Sequence, residues 1–187
     1  GENYYEADND AWAVYSQLSY AFNVNWSATL GLRWSEDRRE LRLTNTFDDV
    51  GDTTLVASDS WSKLNPNLTI TYTATDDLML YGKVATGYRA GGYNIRATTQ
   101  TAFEDPVNEE NVTSFEFGGK SEWLQNRVRL NAAVFYYEYE DQQVSQFEAG
   151  SGGASSKLVN AGESDAWGAE LELTMVPVDG LLATLSY

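Results

Sequence analysis

The sequence predicts an all-β chain: about eight up-and-down antiparallel strands forming a segment of a transmembrane β-barrel, with short periplasmic turns and long extracellular loops. Three observations predict this. Side chains alternate with period two over long stretches, the connections alternate between short and long, and aromatic residues recur at a fixed distance on the apolar side.

The strands follow from the alternation. They are predicted near 10–22, 26–43, 60–74, 78–91, 110–123, 127–147, 157–176 and 181–187. In the second, Trp26, Ala28, Leu30, Leu32 and Trp34 share one side, and Ser27, Thr29, Gly31, Arg33 and Ser35 the other. In the third, Leu64, Pro66, Leu68, Ile70 and Tyr72 alternate with Asn65, Asn67, Thr69, Thr71 and Thr73. Phe115, Phe117 and Trp123 oppose Ser114, Glu116, Gly118 and Lys120 in the fifth. The sixth sets Val128, Leu130, Ala132, Val134 and Tyr136 against Arg129, Asn131 and Tyr137. The seventh sets Trp167, Ala169, Leu171, Leu173 and Met175 against Gly168, Glu170, Glu172 and Thr174.

The connections keep a strict order. Short turns are predicted at 23–25, 75–77, 124–126 and 177–180, and long polar links near 44–59, 92–109 and 148–156, the last Gly/Ser-rich and flexible. An outer-membrane barrel has this asymmetry, and a Greek-key sandwich has no reason to keep it.

Strand length agrees with a barrel. Soluble strands usually run about 5–6 residues, whereas several stretches here continue for more than a dozen. Trp26 and Trp34, Trp12 and Tyr20, and Phe115 and Trp123 are each eight residues apart on one side. At about 3.3 Å per residue and a tilt of about 40°, that spacing rises roughly 20 Å, close to the roughly 25 Å apolar band between two aromatic girdles. Phe22, Trp26, Tyr72 and Trp123 are assigned to an inner girdle, and Trp12, Trp34, Phe115, Tyr136 and Trp167 to an outer one, all facing outer-membrane lipid. The opposite side, with Arg33, Lys83, Glu116, Lys120, Arg129, Glu170 and Glu172, would line the lumen.

Composition excludes several functions. With no Cys there is no disulfide or thiolate metal site, and with no His the commonest general base and metal ligand are missing. A net charge of -16 with only 12 Lys and Arg argues against nucleic-acid binding. Asp48, Asp49 and Asp52 around Gly51 lack EF-hand spacing, and Gly87 to Gly92 lacks the Lys-Ser/Thr pair of a phosphate loop. No nucleophile–base–orienter set is present, so neither an enzyme, a metal site nor a cofactor is expected.

Three stretches resemble the β-barrel of TonB-dependent receptors. They are Ala85-Thr86-Gly87-Tyr88-Arg89-Ala90-Gly91-Gly92-Tyr93-Asn94; the hairpin from Asn108 through Phe115-Glu116-Phe117-Gly118-Gly119-Lys120-Ser121 to Leu130–Tyr137; and Asn160-Ala161-Gly162 followed by Trp167–Leu173. The resemblance covers nearly the whole chain. It implies a 22-stranded barrel filled by an N-terminal plug domain and driven through the TonB-ExbB-ExbD complex, importing a scarce nutrient such as an iron–siderophore complex. No plug or TonB box is present here, so the chain is expected to be a middle portion of such a barrel, cut at both ends.

Ligand contact is expected at the mouth of the long links, at Tyr88, Arg89, Tyr93, Asn94 and Arg96. Arg makes bidentate bonds to carboxylate or phosphate, and Tyr offers an apolar plate with a polar tip. Two alternatives stay open. Leu181, Ala183, Leu185 and Tyr187 alternate and end in an aromatic, as the last strand of a complete eight-stranded barrel with a structural or adhesive role would. A soluble β-sandwich binding module is the other.

Overall fold

The computed structural model describes residues 2–46, 53–94, 103–150 and 153–187. Its described strands are β1 (Glu2–Ala21), β2 (Trp26–Thr46), β3 (Thr53–Thr75), β4 (Leu78–Arg89), β5 (Glu110–Trp123), β6 (Val128–Glu140), β7 (Gln143–Gly150), β8 (Gly153–Asn160), β9 (Ser164–Met175) and β10 (Ala183–Ser186). Eight of them form one antiparallel sheet in the order β1-β2-β3-β4-β5-β6-β9-β10, and β7 pairs with β8 in a separate sheet. The large sheet is open, with β1 and β10 at its edges. This single layer is neither a two-sheet sandwich nor a self-closed eight-stranded barrel.

The short connections lie side by side at one end. Asn23 Oδ1 accepts from the Asn25 and Trp26 amides, both at 2.9 Å, closing the first turn. Neighbouring turns are stitched by backbone bonds: Thr73 N to Asn25 O at 2.7 Å, Glu122 N to Asp77 O at 2.9 Å, and Val176 N to Arg127 O at 2.8 Å. Arg127 also donates through its guanidinium to Val176 O and to Asp179.

Register settles which residues share a side. Trp34 pairs with Val14 and Leu64, Leu30 with Leu18 and Leu68, and Phe117 with Gly82 and Val134. These apolar residues stand on the outer face of the sheet. Arg33, Lys83, Glu116, Lys120, Arg129, Glu170 and Glu172 stand on the inner face, as the alternation predicts. There Arg129 meets Glu122 at 2.7 Å, and Tyr81 donates to Glu116 at 2.5 Å.

The buried core is not in this paired wall. It lies at the long-connection end, where Leu41, Leu43 and Ala57 on the inner face of β2 and β3 enclose a fully buried Phe103, with Leu55 and Tyr93 packed against them. The apolar side of β2 and β3 therefore changes along their length.

Three expectations about the long links need correction. Most of 44–59 is strand, because β2 runs to Thr46 and β3 starts at Thr53. The predicted strands 127–147 and 157–176 are each broken in two. Asp141 takes a left-handed φ of 53°, and across from it Gly162 takes a φ of 89°. Gln142 and the Ala161–Gly162 pair then exchange backbone bonds of 3.0 and 2.8 Å, which redirects both chains at one level. The Gly/Ser-rich stretch read as a flexible link is mostly the β7–β8 pair, with Gly150 opposite Gly153. The polar run Glu140-Asp141-Gln142-Gln143, and the shift of apolar residues from odd positions at Tyr137 and Tyr139 to even Val144, mark the first break, and a single strand over 127–147 overlooks them.

Candidate functional site at the mouth of the wall

Three segments meet at the long-connection end: the extended β2–β3 pair, the β4–β5 connection and the β7–β8 pair. Each junction has a specific cause. Gly92 and Val107 exchange backbone bonds of 3.0 and 2.7 Å, drawing the β4–β5 connection into a loop. That loop sits so close to β3 that a Cβ on Gly91 would lie 2.1 Å from Val107 O and 2.5 Å from the Trp61 ring. Only glycine leaves room for this approach. Lys63 on β3 pairs with Glu109 at 2.7 Å, and the Trp61 and Tyr93 rings meet edge-on at 6.4 Å.

The β7–β8 pair is clasped by amides. Gln143 Nε2 donates to Ala90 O at 3.1 Å and Asn108 O at 2.9 Å, while its backbone N–H donates to Glu110 at 2.7 Å. Asn160 exchanges bonds with the Asn108 backbone and donates to Asp141 O. Asn94 grips the Leu158 backbone, accepting from its N–H at 2.7 Å and donating to its carbonyl at 3.1 Å. Each clasp satisfies backbone groups that this irregular chain leaves without ladder partners.

Below the clasps a hollow of about 450 Å³ is lined by Arg33, Ser35, Asp37, Asn65, Gly87 and Tyr88. The Tyr88 hydroxyl donates to Asp37. Burial, then that bond, holds the Tyr88 phenol above the ordinary tyrosine range. Arg33 Nε donates to Ser35 Oγ at 3.1 Å. Asn65 Oδ1 is buried and accepts no hydrogen bond. The hollow thus combines a cationic, an anionic and a neutral polar group beside an aromatic ring.

The five predicted contact residues have different fates. Tyr88 joins the hollow. Arg89 is exposed at the end of β4, opposite Glu110. Tyr93 is half-buried against the core, where burial and then the charge of Asp59 raise its pKa. Asn94 is engaged in its clasp, and Arg96 lies outside the described residues. Asp48, Asp49 and Asp52 lie outside them too.

Sequence reasoning missed Asp37, Asn65, Phe103, Gln143 and Asn160 as parts of this end. For Asp37 and Asn65 the signal was present, since both share the side of Arg33. Asn160 stands in one of the three stretches that carry the resemblance, but nothing in the sequence marks it or Gln143 as a clasp, because their partners are backbone groups distant in sequence.

The nine aromatic residues assigned to girdles fall at two levels of the outer face. Trp12 and Trp34 pack edge-on at 4.6 Å, and Phe115, Tyr136 and Trp167 occupy one row across β5, β6 and β9. Trp26 and Tyr72 pack at 4.6 Å beside the short turns, where Phe22 and Trp123 also lie.

Comparison with known proteins places this architecture. The family model described as "TonB dependent receptor-like, beta-barrel" matches residues 1–187. The pesticin receptor of Yersinia pestis is 32% identical over 165 residues, 86% of this chain and 23% of that protein. The probable TonB-dependent siderophore receptor PiuA of Acinetobacter baumannii is 27% identical, over 90% of this chain and 22% of its own length. The crystal structure of the ferric yersiniabactin uptake receptor FyuA from Yersinia pestis matches with a TM-score of 0.77 and 25% identity, covering 99% of this chain and 28% of that one. The chain thus spans less than a quarter of the curated relatives it matches. The matches run the length of a wall whose strands, turns and outward apolar rows were derived above from its own residues, and the chain belongs to the TonB-dependent receptor β-barrel family of the bacterial outer membrane.

Proposed function

We propose that this chain is part of the barrel wall and external mouth of an active importer that takes up a scarce nutrient, an iron–siderophore complex, through the outer membrane. In this reading it is a partial barrel domain, truncated at both ends. The parent protein adds a plug domain and further strands, and couples to the TonB-ExbB-ExbD complex. The two aromatic rows of the outer face lie at the two lipid–water interfaces. Tyr88, Arg89, Tyr93, Asn94 and Arg96 contact ligand at the extracellular rim.

One observation carries the reading. Between the aromatic rows the apolar residues point outward, and beyond the outer row they point inward around Phe103. Hydrocarbon around the wall and water around the mouth account for that reversal together. Two of the relatives, a probable siderophore receptor and a ferric yersiniabactin uptake receptor, support iron–siderophore as cargo.

The test uses the full-length parent receptor in a bacterium lacking its own ferric-siderophore receptors. Under iron limitation, at least one member of a siderophore panel should restore growth, and deleting TonB should abolish the rescue. No rescue by a receptor shown to be folded in the outer membrane, or rescue that survives TonB deletion, would overturn the reading.

A further inference from the structure

We propose that the inner face of β6 carries a stacking subsite for an aromatic ring of the ligand, formed by Tyr137 and Tyr139 above Phe135. The proposal rests on the receptor reading and adds a chemical class: a chelate bearing a flat ring with polar or anionic groups.

The three rings form a continuous ridge. Phe135 and Tyr137 lie 5.1 Å apart, and Tyr137 and Tyr139 lie 6.5 Å apart. Phe135 lies flat over β9, since a Cβ on Gly168 would be 2.6 Å from its Cζ. This glycine fixes the foot of the ridge, from which Tyr137 and Tyr139 climb half-buried toward the mouth.

The ridge rises from a low floor. In the Tyr137 row, register places Gln17, Gly31, Asn67, Ala85, Ser114 and Ala166 across the other strands. None of these residues is aromatic or charged. In the Tyr139 row, Gly87, Val112 and Ser164 are the neighbours. Neighbouring strands are about 4.8 Å apart, inside the 4.5–7 Å range of stacked or edge-on ring centroids. A ring seated over Ser114 or Ala166 therefore meets Tyr137 at stacking distance.

Charge and continuity choose a polar-substituted ring as the occupant. The uncharged Tyr137 row is flanked by Lys83 and Glu116 in the row below and by Arg33 in the row above. A ring over Ser114 has the Glu116 carboxylate two residues along the same strand and the Lys83 ammonium one strand further, so a hydroxyl-bearing ring can donate to the one and accept from the other. The trough is also continuous with the mouth, because Gly87 belongs both to the Tyr139 row and to the hollow of Arg33 and Asp37.

Two iron chelates test the proposal: ferric tris-benzohydroxamate and ferric tris-acetohydroxamate. They share net charge and donor atoms and differ by the phenyl ring. Binding to the full-length receptor in detergent, read by intrinsic fluorescence quenching, should favour the benzohydroxamate about tenfold. Tyr137→Ala and Tyr139→Ala should bring the ratio toward one, whereas Tyr137→Phe should keep it. Ala166→Leu fills the trough without touching the ridge, and should weaken the aromatic chelate alone. Equal affinities in the wild type, binding of neither chelate, or a preference that survives all three disruptive variants overturns the subsite. Failure of the receptor reading shows separately, as absence of TonB-dependent iron uptake by the wild-type receptor.

Discussion

The lower and upper halves of the β2–β3 pair obey one backbone rule and opposite burial rules. In the lower half the even positions are apolar and exposed, with Leu30 at 42% and Leu64 at 55%. In the upper half the odd positions are apolar and buried, with Leu41 at 4% and Leu43 at 5%. The ladder continues in step from Trp26↔Tyr72 to Asn45↔Thr53, so no bulge rotates the strands between the halves. The phase changes in the side chains alone, between Trp34 and Leu41 on β2 and between Trp61 and Leu64 on β3. The two halves answer to two solvents. Where lipid surrounds the wall, apolar groups gain nothing by turning inward; where water surrounds it, they must find a protein partner.

The contrast breaks first at Phe103. Phe103→Ala should cost the upper core about 3–5 kcal/mol, seen as faster hydrogen exchange at the Gly92 and Val107 amides. The denaturant midpoint of the lower sheet should stay in place, and equal loss in both halves would mean that they are one cooperative unit. A charge scan along the outer face of β3 comes next. Leu68→Arg should destabilise the folded barrel by about 2–4 kcal/mol, while Ser62→Arg, on the same face but opposite Glu36, should change stability by no more than about 0.5 kcal/mol. Similar costs at the two sites would remove the solvent boundary from between them.

The clasps sharpen the comparison further. Gln143→Ala strips the Ala90 and Asn108 carbonyls of a donor, and should cost the β7–β8 pair about 1–3 kcal/mol. Amide exchange confined to β7 and β8 is the expected signature; spread into β6 and β9 would contradict it. The smallest effect belongs to Tyr88. Its phenol is held neutral above the ordinary value of 10.0, so its contribution is complete below that pH and is lost as pH rises from there toward the raised native value. Tyr88→Phe should cost about 1 kcal/mol near neutrality and remove one late-titrating phenol from the phenolate absorbance curve. Loss of that phenol from the ordinary range near 10.0 rather than from the late part of the curve would rule out the Asp37 contact.

The wall was legible because its physics is local. Period-two alternation, polar turn residues and recurring Trp and Tyr are short-range signals, and they place most of the lower sheet. The mouth was legible only in part. Leu41 and Leu43 carry their change of phase openly, yet the sense of that change depends on Phe103, which reaches them through a long connection. The breaks at Asp141 and Gly162 fall in Glu140-Asp141-Gln142-Gln143 and Asn160-Ala161-Gly162-Glu163, where alternation lapses, but a lapse does not tell that the two segments turn together at one level. Asn94, Gln143 and Asn160 serve carbonyls and amides rather than side chains, and no pattern of residue types reports a backbone partner.

The paired break at Asp141 and Gly162 has an architectural consequence. Tyr139 and Ser164 are already ladder partners directly beneath it, so the wall is complete without anything above that level. The β7–β8 pair is therefore an appendage spliced onto a finished fence. Beyond the clasping Gln143 and Asn160, its length and composition are free to drift, or to accept a grafted epitope, while every picket below keeps its place.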